Sequence, residues 1–189
     1  MKKSKEKLFH NGLWSIIKSD LERLCNPTFK NFLFVYLFPR GTVFPYIVWF
    51  RIQQWCRISK IRKFTLGVLS YPIMRHYEYK YGIHANPNIF VGKGLHIVHG
   101  DGVYLNCKRI GEHFTVYQGV TLGTDGIGET PSVMDFVTVY TNAVVVGNII
   151  LNNGAVVGAQ SYVNKDIGVG EVFAGVPARD MMRKYGRQL

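Results

Sequence analysis

Histidine 99 is the residue in this chain best suited to moving a proton. It stands in the run HIVHGDG, residues 96–102. A neutral imidazole held by a polar neighbour suits a general base near neutral pH; otherwise a surface histidine is an incidental polar residue. Nineteen residues later, Gln118 holds the equivalent place in a repeated pattern, which puts the two side chains about one strand spacing apart, ~4.8 Å. Asp101, two residues after His99, is read in two ways: it orients His99 or binds an acceptor, or it only marks a widened corner. The remaining histidines of this half are His84, His96 and His113. His96 and His99 are three apart, but the spacing of a three-histidine zinc site is absent. Cys25, Cys56 and Cys107 are scattered, odd in number and without metal spacing. The residues therefore offer a candidate general base and no metal spacing.

Such a base needs a rigid frame, and the spacing of apolar residues describes one. Val91, Ile97 and Val103 are six apart, as are Ile110, Val116 and Leu122. Val133, Val139, Val145, Leu151, Val157 and Val163 continue the series. A period of six matches neither a helix nor a half-buried strand. It fits a chain that turns a corner every six residues and stacks triangular coils of eighteen, the hexapeptide left-handed parallel β-helix. Four residues after the repeat positions come Leu95, Cys107, Phe114, Val120, Val137, Ala143, Ile149, Ala155 and Ser161, with Asp101 the single misfit. Leu122 to Val133 is eleven steps, so residues 123–132 (GTDGIGETPS) must bulge out of the coil. Loops on a rigid scaffold commonly build sites.

Residues 1–80 lack this period. Leu8–Leu24 and parts of Pro45–Tyr79 read as helices, and a helical prelude would cover the open edge of the first coil. The expected organisation is a helical, basic and aromatic segment over 1–80, the solenoid over 81–171, and a C-terminal cap with a short basic helix over 172–189. The formal charge is +11, much of it before residue 85, which implies an anionic neighbour. No nucleic-acid motif is present, so phosphates on a cofactor or carrier are the better candidates. Asn31–Phe50 is very apolar and aromatic and about long enough to cross a bilayer, but Pro39, Arg40, Gly41 and Pro45 interrupt it. It either packs against the β-helix or a sister subunit, or lies on an anionic membrane face. No secretory signal is visible. The expectation is a cytoplasmic protein, peripheral at the inner membrane in the second of these readings.

The stretches GLHIVHGDGVYLN and GEHFTVYQGVTLG, the extruded loop, VVVGNIILNNGAVVGAQSYVNKDI and the closing AGVPAR resemble the serine acetyltransferase branch of the hexapeptide acyltransferases over about residues 80–180. The resemblance implies a homotrimer that binds acetyl-CoA in a groove between β-helices, with His99 deprotonating the acceptor hydroxyl for direct attack on the thioester. It places coenzyme A along the later coils, near Gly123, Thr124, Thr141, Asn142, Ala159 and Gly175. Lys165, Arg179, Arg183 or Lys184 would meet its phosphates. Backbone N–H groups near Gly119–Gly123 would steady the oxyanion.

Three departures from that family bear on the acceptor. Val98 stands where its members carry Asp, His84 stands where they carry the carboxylate partner of the catalytic histidine, and Thr130 or a neighbour replaces a second histidine. His84, Asp101, Asp125, Glu129 and Thr130 are then the acceptor-binding candidates. The short, basic N-terminal segment is similar to that of the serine-acetyltransferase-like enzymes of capsule, exopolysaccharide and colanic acid biosynthesis. The expectation is acetylation of a sugar hydroxyl, with free serine as the alternative acceptor.

Overall fold

The computed structural model describes residues 6–39, 41–126 and 128–181. Helices come first: α1 Gly12–Leu21, α2 Phe29–Leu37, α3 Phe44–Cys56, α4 Lys60–Phe64 and α5 Leu66–Tyr81. The residues between α2 and α3 hold Pro39 and Gly41, which divide the apolar stretch 31–50 into two helices. Thr28 caps α2, its hydroxyl accepting the Asn31 amide at 3.2 Å. Gly82 ends α5 in the left-handed conformation that favours glycine. Among the described residues no helix is long and apolar enough to cross a membrane.

Among the described residues fifteen short strands follow. β1 (Ile83–Ala85), β4 (Val103–Leu105), β7 (Thr121–Gly123), β10 (Val144–Val146) and β13 (Tyr162–Val163) form one parallel sheet. β2 (Phe90–Val91), β5 (Arg109–Ile110), β8 (Ser132–Val133) and β11 (Ile150–Leu151) form the second. β3 (His96–Ile97), β6 (Thr115–Val116), β9 (Thr138–Val139), β12 (Val156–Val157), β14 (Val172–Ala174) and β15 (Arg179–Asp180) form the third. Successive strands visit the three sheets in turn, as the six-residue period predicts. Every repeat residue from Val91 to Val163 is buried in the shared core, and so are the nine residues four places on. Asp101 is the exception: it is exposed and its φ is +66°. Cys107 fills one of these core places, where burial pushes its thiol up to about 12.

Val172–Ala174, read from the sequence as the start of the cap, pairs in parallel with β12 and so continues the solenoid. The chain then reverses, and β15 pairs antiparallel with β14. Most of the expected basic helix, including Arg183 and Lys184, lies outside the described residues.

A buried ion pair clamps the helices to the first coil. Arg51 on α3 donates to Asp20 on α1 from Nε at 2.7 Å and from Nη2 at 3.1 Å. The same guanidinium donates to the carbonyls of Val91 at 2.8 Å and Gly92 at 2.6 Å, and Asp20 accepts the Leu95 amide at 2.8 Å. In sequence, Arg51 falls beside an apolar helical stripe and Asp20 interrupts an apolar run. Both are fully buried, because the charges neutralise each other and the remaining donors meet open carbonyls of the coil.

Candidate active site

One corner of the solenoid collects the residues that could do chemistry. His99 lies two residues past Ile97, and Ile97 pairs with Val116. The same offset past Val116, Val139, Val157 and Phe173 gives Gln118, Thr141, Ala159 and Gly175, and those four anchors also pair in sequence. Five successive coils thus present His99, Gln118, Thr141, Ala159 and Gly175 in one row, spanning roughly 19 Å at a strand spacing of ~4.8 Å. The coils are tied together there by Gly119 N–H to the Asp101 carbonyl at 3.0 Å, Asn142 N–H to Gln118 at 3.0 Å and Gln160 N–H to Thr141 at 2.8 Å. Sharp corners require positive φ, which Asp101, Gly119, Asn142 and Gln160 supply. Gly119 has no alternative, since a Cβ there would lie 1.9 Å from the Asn142 side-chain oxygen.

At the head of the row, exposed His99 opens on a cavity of about 440 Å³. Gly100, Asp101 and Gln118 line it from the solenoid, and Thr42, Val43 and Tyr81 from the helical segment. Three polar atoms of these lining residues are buried without a hydrogen-bond partner among the described residues: Thr42 Oγ1, Tyr81 Oη and Gln118 Oε1. Such orphans are costly unless a ligand or water meets them. Burial, with Tyr77 and Tyr36 close by, raises the pKa of Tyr81, so its hydroxyl stays protonated and able to donate. Gly100 admits the close approach of the helical segment, because a Cβ there would sit 2.2 Å from the Tyr81 carbonyl oxygen. Desolvation, with help from Arg23 and His99, lowers the pKa of neighbouring His96 and favours its neutral form.

Of the remaining expected site residues, Asp101 lines this cavity and the others lie away from it. No hydrogen bond among the described residues joins Asp101 to His99; the Asp101 amide instead donates to the Tyr81 carbonyl at 2.6 Å. His84 is on β1, where its Nδ1 shares a hydrogen bond with Glu78 at 3.1 Å and its ring stacks on Tyr104 at 4.6 Å. It lines a second cavity, of about 380 Å³, with Arg57, Arg75 and Glu78, so it does not take the place of a carboxylate beside His99. The extruded loop runs from β7 to β8, the corner after the one His99 occupies. Thr124 Oγ1 accepts the amides of Gly126 at 3.2 Å and Gly128 at 2.9 Å, and Glu129 pairs with Lys108 at 2.5 Å. Asp125, Glu129 and Thr130 therefore do not line the His99 cavity of their own chain. The amides of Gly119 and Thr121 are bonded to neighbouring coils, which removes them as oxyanion donors. Gly123 is buried in β7, opposite Val146. Lys165, Gly175 and Arg179 share a groove of about 680 Å³ at the far end of the row.

Thr42 and Tyr81 carry no sequence signal for this site. Nothing in the local pattern ties a break near residue 40 to a corner near residue 100.

No family model matches the chain. A serine acetyltransferase of Staphylococcus xylosus is 33% identical over 136 residues, covering 70% of this chain and 61% of that protein. One from Bacillus pumilus (strain SAFR-032) is 37% identical over 116 residues, covering 57% of this chain and 53% of that protein. This chain thus spans little more than half the length of these relatives. Among solved structures, a serine acetyltransferase in complex with CoA superposes with a TM-score of 0.72 at 22% identity, over 93% of this chain and 73% of that one. The chain has the serine acetyltransferase fold. Soybean serine acetyltransferase shares that fold at a TM-score of 0.72 and 26% identity, over 89% of this chain and 69% of its own. These comparisons overturn the expected sugar acceptor and the expected place in polysaccharide biosynthesis. The relatives and the structural neighbours alike are serine acetyltransferases. The departures at Val98, His84 and Thr130 therefore do not identify a different acceptor. The serine acetyltransferase fold here keeps the histidine at the corner and surrounds it with Thr42, Tyr81 and Gln118.

Proposed function

We propose that this protein is an acetyl-CoA-dependent serine O-acetyltransferase with His99 as general base. The observation that carries the reading is the row of five corner residues, which starts at a histidine over a cavity with unpartnered polar atoms. The imidazole takes the proton of the serine hydroxyl as its oxygen attacks the acetyl carbonyl. The new O–C bond forms, the C–S bond breaks, and the proton passes to the departing CoA thiolate. Transfer is direct, and holding both substrates on one rigid corner supplies much of the rate. Gln118 Oε1 suits the ammonium of the amino acid, and the hydroxyls of Thr42 and Tyr81 suit its carboxylate. The rest of the row takes the extended arm of the acetyl donor, with Lys165 and Arg179 in the groove at the phosphate end.

A homotrimer belongs to the same proposal. Asp125, Glu129 and Thr130 sit at another corner of their own chain, so a neighbouring copy must bring that loop to His99 if it takes part. The test is initial-rate thiol release from acetyl-CoA as serine is varied. Release should depend on serine, and His99→Ala should lower kcat/KM by roughly 10²–10⁴-fold. Release that ignores serine, or survives in His99→Ala, overturns the reading.

A further inference from the structure

Helices α4 and α5 bury only one stripe, Gly67, Ser70, Met74 and Glu78. The surface around that stripe is apolar and open: Ile61, Phe64, Leu66, Val68, Leu69 and Ile73 are 39–77% exposed. Soluble surfaces rarely leave such a patch uncovered. The patch cannot turn inward, because Gln53 on α3 anchors α5 through the Gly67 carbonyl at 2.7 Å and Ser70 Oγ at 2.9 Å. Cations frame it. Lys60 and Lys63 are exposed, Arg62 lies over the Trp55 ring at 4.1 Å, and the Lys63 ammonium is 5.7 Å from the Phe64 ring.

The charge of the chain identifies the occupant. Residues 1–80 hold fifteen Lys and Arg against four Asp and Glu, whereas residues 81–189 hold eight of each. The whole net charge of +11 therefore belongs to the helical segment. Between Glu22 and Glu78 there is no acidic residue at all, against nine basic ones. A second copy seated on this face would set Lys60, Arg62 and Lys63 against their own counterparts, with no carboxylate between Glu22 and Glu78 to answer them. An anionic bilayer answers both features, accepting the apolar side chains below its headgroups and the cations among them. Helix α2 exposes a further apolar row, Phe29, Phe34, Leu37 and Phe38, but carries a single lysine, Lys30.

We propose that the α4–α5 face docks the protein peripherally on an anionic phospholipid surface. The experiment is flotation of the full-length protein with vesicles of phosphatidylcholine alone and of phosphatidylcholine with phosphatidylglycerol. Binding should require phosphatidylglycerol and weaken as salt rises. Phe64→Ser with Leu69→Ser should abolish it, and Lys60→Glu with Lys63→Glu should weaken it roughly tenfold or more. All four side chains are exposed, so both double variants should keep the wild-type unfolding midpoint; if one does not, the other carries the test. Absence of vesicle binding by the folded wild type, or equal binding to neutral vesicles, overturns the proposal. A lower oligomeric mass in Phe64→Ser/Leu69→Ser, with no lipid binding by the wild type, would show that a second copy covers the face instead.

Discussion

Thr42 Oγ1, Tyr81 Oη and Gln118 Oε1 are left without partners around one cavity, whereas the other two such atoms among the described residues, Tyr46 Oη and Arg57 Nε, lie away from it. Arg51 alone makes five hydrogen bonds. Groups that support the fold lose stability when removed, while groups waiting for a ligand lose affinity. Thr42→Val and Tyr81→Phe should therefore raise the KM for serine by about tenfold each. Neither change should lower the thermal midpoint, since no hydrogen bond among the described residues is lost. Steady-state kinetics beside a melting curve checks both halves. An unchanged KM with a falling midpoint would make these hydroxyls structural. His99 and Gln118 were legible in the sequence because a fixed repeat converts separation along the chain into position in space. Thr42 and Tyr81 were not, because the helical segment has no period that registers it on the coils.

At the scale of elements, the six-residue period foretold the solenoid, since every one of its apolar positions is buried in a strand. The attachment of the helices was not foretold. Pattern alone gives an arginine on a helix a solvated face, whereas Arg51 is withdrawn from water by Asp20 and two coil carbonyls. Removing one partner leaves the other charge buried and unmatched. Asp20→Asn should cost about 3–5 kcal/mol in urea unfolding. It should also loosen α1 and α3 from the first coil, read as faster hydrogen exchange at the Leu95 amide, which donates to Asp20. A cost near that of an exposed pair, within about 1 kcal/mol, would contradict the clamp. The extruded loop shows the opposite limit. Its extra length was plain in the spacing, but its corner follows from strand order: it links β7 to β8, while His99 precedes β4.

Across the whole molecule, a solenoid of balanced charge carries His99, and a strongly basic helical segment covers its first coil and walls the cavity beside that histidine. The acceptor was the part of the function least legible in the sequence. Single-residue departures such as Val98 and His84 change the surroundings of a site without stating what enters it, and His84 proves to be engaged with Glu78 rather than with His99. In the proposed reaction this corner moves an acetyl group onto serine through His99. Mass analysis of serine after incubation with acetyl-CoA and purified protein tests it most directly. The wild type should yield O-acetylserine, and His99→Ala almost none at equal protein. Free CoA with unmodified serine, or equal product from His99→Ala, would contradict it.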